Sequence, residues 1–266
     1  MNNSTYTFQQ GKSPLIATAI HDGHEVRQAL ISLFNLNEEE RLREEDPFTA
    51  NWVNFSDNHI VVHHSRFETD VNRTREKAIY LKPEDAWGLK VWKEDLPSQT
   101  VLESLKLYDN FYAEVKKYFD VLFQTHANLV VYDIHSYNYR REGKDLQADS
   151  SSNPEINLGT KNMNRQRWAP VVTALTVSLQ SFDYAGRTLD VRENIKFKGG
   201  YFGQWLYEKY GNKICPVSIE FKKFFMDEWT GRSYEKDILL IQNLLAASKI
   251  PVLEALNKIN VESGHG

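Results

Sequence analysis

The stretch PLIATAIHDGHEVRQALISLF, residues 14–34, decides the fold prediction. Its apolar part, LIATAI (15–20), has the length of a short buried strand, and EVRQALISLF (25–34) places apolar residues at helical spacing. The strand ends on two histidines, His21 and His24, which are three residues apart. In open α/β sheets ligands gather at the carboxyl ends of strands, so this stretch predicts both a layer architecture and a site.

The same alternation of short apolar runs and longer helical patterns continues along the chain. We predict further strands at 58–64, 127–135 and 214–221, and helices at 105–123, 168–179 and 237–247. This order predicts an α/β fold with a mixed, largely parallel sheet and helices on both faces, in a single catalytic domain over residues 1–266. The polar region 140–167 is too long for a tight connection, so we predict a functional or lid loop, with a solvated insertion as the alternative.

The composition is that of an ordinary soluble protein. The chain has 266 residues, 41% hydrophobic and 26% charged, with a net charge of -4. This balance gives no electrostatic basis for binding nucleic acid or an anionic membrane, and the apolar runs look too short to cross a bilayer. One cysteine, Cys215, allows no internal disulfide, and the polar N-terminus lacks a signal-peptide pattern, so we expect a cytoplasmic location. We expect a small-molecule partner, and the sequence leaves a homo-oligomer open.

Three histidines are candidate metal ligands. His21 and His24 form a close pair, and His135 ends the distant strand LVVYDI. Two near ligands and one distant ligand are a common plan for a catalytic zinc site with an open fourth position, which predicts one Zn²⁺ per chain. Glu25 competes with His24 as the second ligand. The alternative to a metal site is a polar turn followed by a helix cap.

Two acidic residues lie in apolar strands. Asp133 is two residues before His135, so both side chains project from the same face and the carboxylate could fix the imidazole tautomer. Glu220 stands in VSIEF, where desolvation would raise its pKa toward neutrality and suit a base that accepts a proton from metal-bound water. The alternatives are a surface position for Asp133 and an ion pair of Glu220 with Lys222 or Lys223.

The stretch HHSRFETDVNR, residues 63–73, contains candidate anion binders. Arg66 and Arg73 each offer a planar fork for a carboxylate or a developing oxyanion, and Asn72 can donate from its amide. Asp70 is expected to orient Arg73. The alternative is an exposed charged turn in which acidic residues pair with the arginines.

Five motifs occur in the order IHDGH, SRFETDVNR, DIHSYN, FKGGY and SIEFKKFFMDEWTG. Together they resemble the N-formylglutamate amidohydrolase family over almost the whole chain. The resemblance implies a fold like that of zinc carboxypeptidases and aspartoacylase, in which H-x-x-E and a later histidine hold the metal. It matches the D-x-N-R motif to Asp70, Asn72 and Arg73. At the second ligand position this chain carries His24 where the related enzymes have glutamate.

The resemblance implies cleavage of N-formyl-L-glutamate to formate and L-glutamate, the last step of one route of histidine degradation. Zinc would be held by His21, His24 and His135, with Glu220 as the base and Arg66 at the oxyanion. In FKGGY (197–201), Gly199 and Gly200 allow close backbone approach to the substrate, or form a plain turn. The alternatives are a zinc hydrolase of other N-acyl amino acids or short peptides, and a non-catalytic carboxylate-binding protein.

Overall fold

The computed structural model describes residues 5–146 and 148–263, so Gln147 of the predicted loop lies outside it. Within these residues seven strands form one sheet in the order β1-β3-β2-β4-β7-β5-β6. The strands are β1 (Tyr6–Gln9), β2 (Leu15–Ala19), β3 (Asn58–Val62), β4 (Leu129–Tyr137), β5 (Ile156–Gly159), β6 (Val191–Glu193) and β7 (Ile214–Lys222). Strands β3, β2, β4 and β7 pair in parallel, whereas β1 pairs with β3 and β5 with β7 in antiparallel orientation.

Six α-helices connect the strands of the described chain. They are α1 (Gln28–Ile31), α2 (Glu38–Glu44), α3 (Ser98–Leu122), α4 (Ala169–Ser181), α5 (Tyr201–Tyr210) and α6 (Glu235–Ser263). Short 3-10 helices add the segments Thr49–Phe55, Arg75–Lys77, Pro83–Ala86 and Gly211–Lys213. The mixed sheet between helices confirms the predicted α/β class.

Alternating residues of the central strands pack on opposite helix layers. In β2, Leu15 and Ala17 lie in the core beneath α4 and α6, whereas Ile16 packs with the residues of α3 and α5. Successive side chains of a strand point to opposite faces, so a strand buried on both faces is apolar throughout. The run LIATA is therefore completely buried, with Thr18 as its polar member.

The structure differs from the predictions at several connections. The predicted loop 140–167 contains β5, which pairs with β7 through Ile156–Gly159. The predicted helix 25–34 shortens to the single turn α1, because the backbone of Glu25 instead pairs with His63 and Ser65. The conformation of these segments is determined by tertiary contacts, which the local hydrophobic periodicity does not predict.

The length and composition of helix α6 differ from the expectation that the chain has no segment able to cross a membrane. Over Glu235–Val261 it is long and apolar enough, by length and composition alone, to cross a membrane, which corrects the prediction that every apolar run is too short. A core helix of a soluble protein passes the same test. Ile241, Leu244 and Leu245 of α6 are buried in the core shared with α4, so one face of the helix packs on the domain.

Candidate active site

Three neighbouring parallel strands bring polar side chains to one edge of the sheet. His21 follows β2, His135 lies in β4, and the register of β4 with β7 sets His135 beside Glu220. Ile134 and Ile219, which precede them, pack under α4 and α6. His135 and Glu220 therefore project from the opposite face, the one that α3 and α5 cover.

A carboxylate completes a cluster with the two imidazoles. His21, Asp46 and His135 are buried, and one potential ligand atom from each lies within 4.8 Å of the others. The Oδ2 atom of Asp46 is 3.0 Å from Nδ1 of His135 and 3.5 Å from Nδ1 of His21. Burial would raise the pKa of Asp46, but hydrogen bonds and charges from the two histidines outweigh it and hold the pKa well below its ordinary value.

Two further carboxylates hold the outer nitrogens of these rings. Nε2 of His21 is 2.7 Å from Oδ1 of Asp70, and Nε2 of His135 is 3.0 Å from Oδ2 of Asp133. Asp133 is itself fixed by a hydrogen bond of 2.7 Å from the Thr18 hydroxyl group. A carboxylate behind a ligating imidazole fixes its tautomer and raises its basicity, so both Asp70 and Asp133 lie where outer partners of metal ligands lie.

The donor set fits a divalent metal. Both nitrogens of His21 and of His135 face carboxylate oxygens, yet a neutral imidazole donates from only one nitrogen. Nε2 of His135 and Oδ2 of Asp133 are buried without a well-aligned hydrogen bond, despite their separation of 3.0 Å. A cation held by Nδ1 of each ring and by Asp46 would balance this excess of acceptors, and two nitrogens with one oxygen suit zinc or a neighbouring transition metal.

Asp46 was not identified by the sequence analysis. It ends the acidic run 44–46, which starts at the last residue of α2; that helix begins with a reciprocal capping box between Asn37 and Glu40. The amide of Asp46 donates to the carbonyl oxygen of His21 at 2.9 Å, which ties this loop to the end of β2. Three successive acidic residues before Pro47 were the only sequence signal, and such runs are usually solvated.

The structure places His24 outside the cluster. Its Nδ1 is 2.5 Å from Oε2 of Glu45, and its side chain is 37% exposed. A Cβ atom at Gly23 would collide with the backbone of His63, so the turn packs tightly on the end of β3 and directs His24 away from His21. Glu25 is exposed, and its backbone pairs with the same segment.

Glu220 has the electrostatic environment expected of a base. Burial raises its pKa to about 7, against the opposing charge of His135 and a hydrogen bond of 3.1 Å from the Ser218 hydroxyl group. Lys223 does not pair with it, since its ammonium group donates to backbone carbonyl groups. A carboxyl group near neutrality can both accept and return a proton at physiological pH.

Asp70 links the His–Asp–His cluster to the arginines. Its Oδ2 atom accepts a hydrogen bond of 2.8 Å from Arg66 and another from the Tyr80 hydroxyl group, whereas Arg73 is 3.9 Å away. Asp70 therefore orients Arg66 more directly than Arg73. Burial opposes ionisation of Asp70, but the charges of Arg66 and His21 hold its pKa well below the ordinary value.

Asn72 and the two glycines meet at the start of α5. Oδ1 of Asn72 accepts a hydrogen bond of 2.9 Å from the amide of Phe202, which leaves its Nδ2 group to donate elsewhere. A Cβ atom on Gly200 would collide with the Asn72 side chain, and Gly199 has φ of 123°, a conformation that favours glycine. The close approach that the sequence predicted toward a substrate is thus made to protein side chains, by Gly200 to Asn72 and by Gly199 to Asn162.

A cavity of about 450 Å³ joins these groups. Its wall includes nine of the residues considered above for the chemistry or for substrate contact: His21, Asp46, Arg66, Asn72, Arg73, His135, Gly199, Gly200 and Glu220. Six cationic and three acidic side chains line the cavity, which indicates an anionic ligand. Asp70 and Asp133 lie behind the wall, and His24 does not contribute to it.

A polar cavity with a His–Asp–His cluster and a buried acid, at the carboxyl edge of an α/β sheet, is the arrangement of an enzyme active site. The sequence model of N-formylglutamate amidohydrolase matches residues 13–226, and the chain belongs to that family. The match covers all four central parallel strands and every residue of the cluster. None of the curated proteins matches the chain.

Two solved structures share the fold at low sequence identity. N-formylglutamate amidohydrolase from Ralstonia eutropha superposes with a TM-score of 0.74 at 16% identity, covering 95% of this chain and 98% of that one. A gene product of Agrobacterium tumefaciens gives 0.65 at 17% identity, with 94% and 92% covered. A metallo-carboxypeptidase from Burkholderia cenocepacia gives only 0.36 at 13% identity, covering 90% and 56%.

Proposed function

We propose that the chain hydrolyses the amide of N-formyl-L-glutamate to formate and L-glutamate, using one zinc ion per chain. Family membership supports the amide hydrolysis, and the cationic cavity supports an acidic substrate. The observation that carries the proposal is the near-neutral Glu220 beside the buried cluster of His21, Asp46 and His135. The reaction would end one route of histidine degradation, and the single buried Cys215 suits the cytoplasm.

The residues divide the work of hydrolysis. A metal at the cluster would supply Lewis acidity, which acidifies water and polarises the formyl carbonyl group. The Glu220 carboxylate takes a proton from the attacking water and returns it to the leaving nitrogen. Arg66, fixed by Asp70 and by a hydrogen bond of 3.1 Å to Tyr80, donates to the oxyanion that develops on the carbonyl oxygen.

Substrate binding would use further residues of the cavity wall. The Nδ2 group of Asn72 and the guanidinium group of Arg73 would hold the α-carboxylate, since both residues line the cavity. Gly199 and Gly200 bring backbone close to the same point without side-chain bulk. Binding the carboxylate fixes the formyl group relative to Glu220, which lowers the entropic part of the barrier.

The test is formate release from N-formyl-L-glutamate by purified protein, before and after a chelator and after zinc is restored. Glu220→Gln, which keeps the size of the side chain, should lower kcat by about 10²–10⁴-fold while the bound zinc is unchanged. Glu254→Gln, an exposed glutamate of α6, is the matched control and should behave as wild type. Full activity of metal-free protein would end the zinc proposal, and full activity of the Glu220 variant would place the base elsewhere.

A further inference from the structure

The cavity contains a lysine that the proposed reaction does not use. Lys196 lines the wall, and its ammonium group has no carboxylate within ion-pair distance in the described chain. We propose that Lys196, assisted by Arg141, binds the distal carboxylate of the substrate and so makes the enzyme selective for an acidic amino acid side chain. The inference rests on the proposed function and deepens it.

The sheet itself positions Lys196. Asn157 of β5 is fully buried and lies directly opposite Glu220 of β7. Its side chain accepts a hydrogen bond of 2.9 Å from the amide of Lys196 and donates one of 2.8 Å to the carbonyl oxygen of Phe197. The backbone of Lys196 is thereby fixed relative to the strand that carries the proposed base.

The side chain of Lys196 is also held in place. Its Nζ atom donates to Oδ1 of Asn153 at 2.5 Å and lies 4.9 Å from the centre of the Tyr137 ring. These neutral partners orient the ammonium group and leave its charge uncompensated. Tyr137 follows His135 by two residues on β4, which is about 7 Å along a strand and within reach of an extended acidic side chain.

The neighbouring charged groups leave room for one more anion. Arg141 pairs with Glu44 at 2.8 Å and stacks on Trp87, and Glu44 is shared with Arg43. Burial and the charge of Arg141 both lower the pKa of Lys196, so the two cations repel each other across the cavity.

Glu228, the acid whose charge acts on Lys196, is already occupied. It accepts hydrogen bonds from the amides of Tyr139 and Arg140. A carboxylate between Lys196 and Arg141 would relieve their repulsion and gain charge-assisted hydrogen bonds, whereas a neutral amide there would gain little.

The test compares N-formyl-L-glutamate with its isosteric neutral counterpart, N-formyl-L-glutamine. Lys196→Met should lower kcat/KM for the glutamate substrate at least about tenfold, the cost of a lost charged hydrogen bond, with kcat less affected than KM. The glutamine substrate should stay within about threefold, and Lys196→Arg should restore much of the preference for glutamate. Lys161→Met, an exposed lysine that does not line the cavity, is the matched control.

The outcomes separate this inference from the proposed function. Suppose that the wild type releases formate, and that Lys196→Met lowers kcat/KM equally for both substrates or for neither. The subsite is then refuted, and the proposed reaction stands. If the wild type turns over neither substrate, calorimetric binding of L-glutamate and L-glutamine to wild type and Lys196→Met decides. A preference for L-glutamate that disappears in the variant supports the subsite, and equal binding by both proteins overturns it.

Discussion

Lys223 places its ammonium group 2.7 Å from the carbonyl oxygen of Glu45, the residue before Asp46. The same group donates to the carbonyl oxygen of Arg43 at 2.6 Å. Lys223 is fully buried, and burial lowers its pKa to about 8 against the opposing charges of Asp46 and Glu44. A buried cation from the end of β7 thus anchors the loop that brings the carboxylate of Asp46 to the two histidines.

Replacing Lys223 by Met should loosen this loop. Two buried carbonyl groups would lose charged donors, which should lower the free energy of unfolding by about 2–4 kcal/mol. Displacement of Asp46 should weaken zinc binding by about 10–100-fold, as loss of an outer support of a metal site does. Urea unfolding of the metal-free protein and a competitive chelator titration measure the two effects. Lys213→Met, at an exposed lysine before β7, is the control. A Lys223 variant with the same stability and zinc affinity as this control would contradict the anchoring role.

The choice between Asp46 and His24 as third metal ligand can be decided directly. Asp46→Asn should lower zinc affinity more than about 100-fold, because it removes a charged ligand rather than an outer partner. His24→Gln should keep the metal, since its ring faces Glu45 at the surface of the site. Metal content after dialysis, with anomalous scattering at the zinc edge, measures both. Zinc lost from the His24 variant and retained in the Asp46 variant would restore the ligand set expected from the sequence.

Periodicity predicted the four central strands but missed β5, which lies between β7 and β6. Strands β2, β3, β4 and β7 are buried on both faces, so each appears in the sequence as an apolar run bounded by polar residues. Strand β5, with the sequence INLG, carries too few apolar residues for such a pattern. Its position follows from pairing with β7, which no local signal specifies.

The candidate site divides in the same way. His21, His135 and Glu220 stand at the ends of apolar strands, and parallel pairing brings strand ends together, so their proximity could be expected from sequence. Asp46 reaches the cluster from a helix–loop segment, held by a backbone bond to His21 and by Lys223. That placement depends on contacts 25 and 178 residues apart in the chain, which a single sequence does not reveal.

The buried imidazole of His64 should make stability depend on pH. Burial lowers its pKa from 6.5 to about 4, against the charge of Asp70 and aided by that of His21. Below pH 6.5 the unfolded chain therefore binds a proton at this imidazole, whereas the folded chain binds it only near pH 4. The free energy of unfolding therefore decreases as the pH is lowered from about 6.5 to about 4. Between pH 7 and pH 5 wild type should lose about 2 kcal/mol more than His64→Gln. Urea unfolding at the two pH values tests this, with His126→Gln as control; parallel losses in wild type and the His64 variant would show that His64 titrates normally.

Gly200 should be intolerant of even one extra carbon. Its φ of -95° is ordinary for any residue, so the effect of Gly200→Ala is steric: the new Cβ atom would displace the Asn72 side chain. Asn72 would lose its hydrogen bond to the amide of Phe202 and its orientation toward the substrate carboxylate. We therefore expect KM for N-formyl-L-glutamate to rise about tenfold or more. Overpacking should also cost about 1–3 kcal/mol of stability.

Gly143→Ala is the control, because its Cβ atom would meet only Leu146 at 3.4 Å, an ordinary contact. Steady-state kinetics and urea unfolding separate the two effects. A variant destabilised as expected but with unchanged KM would show that Asn72 does not hold the substrate.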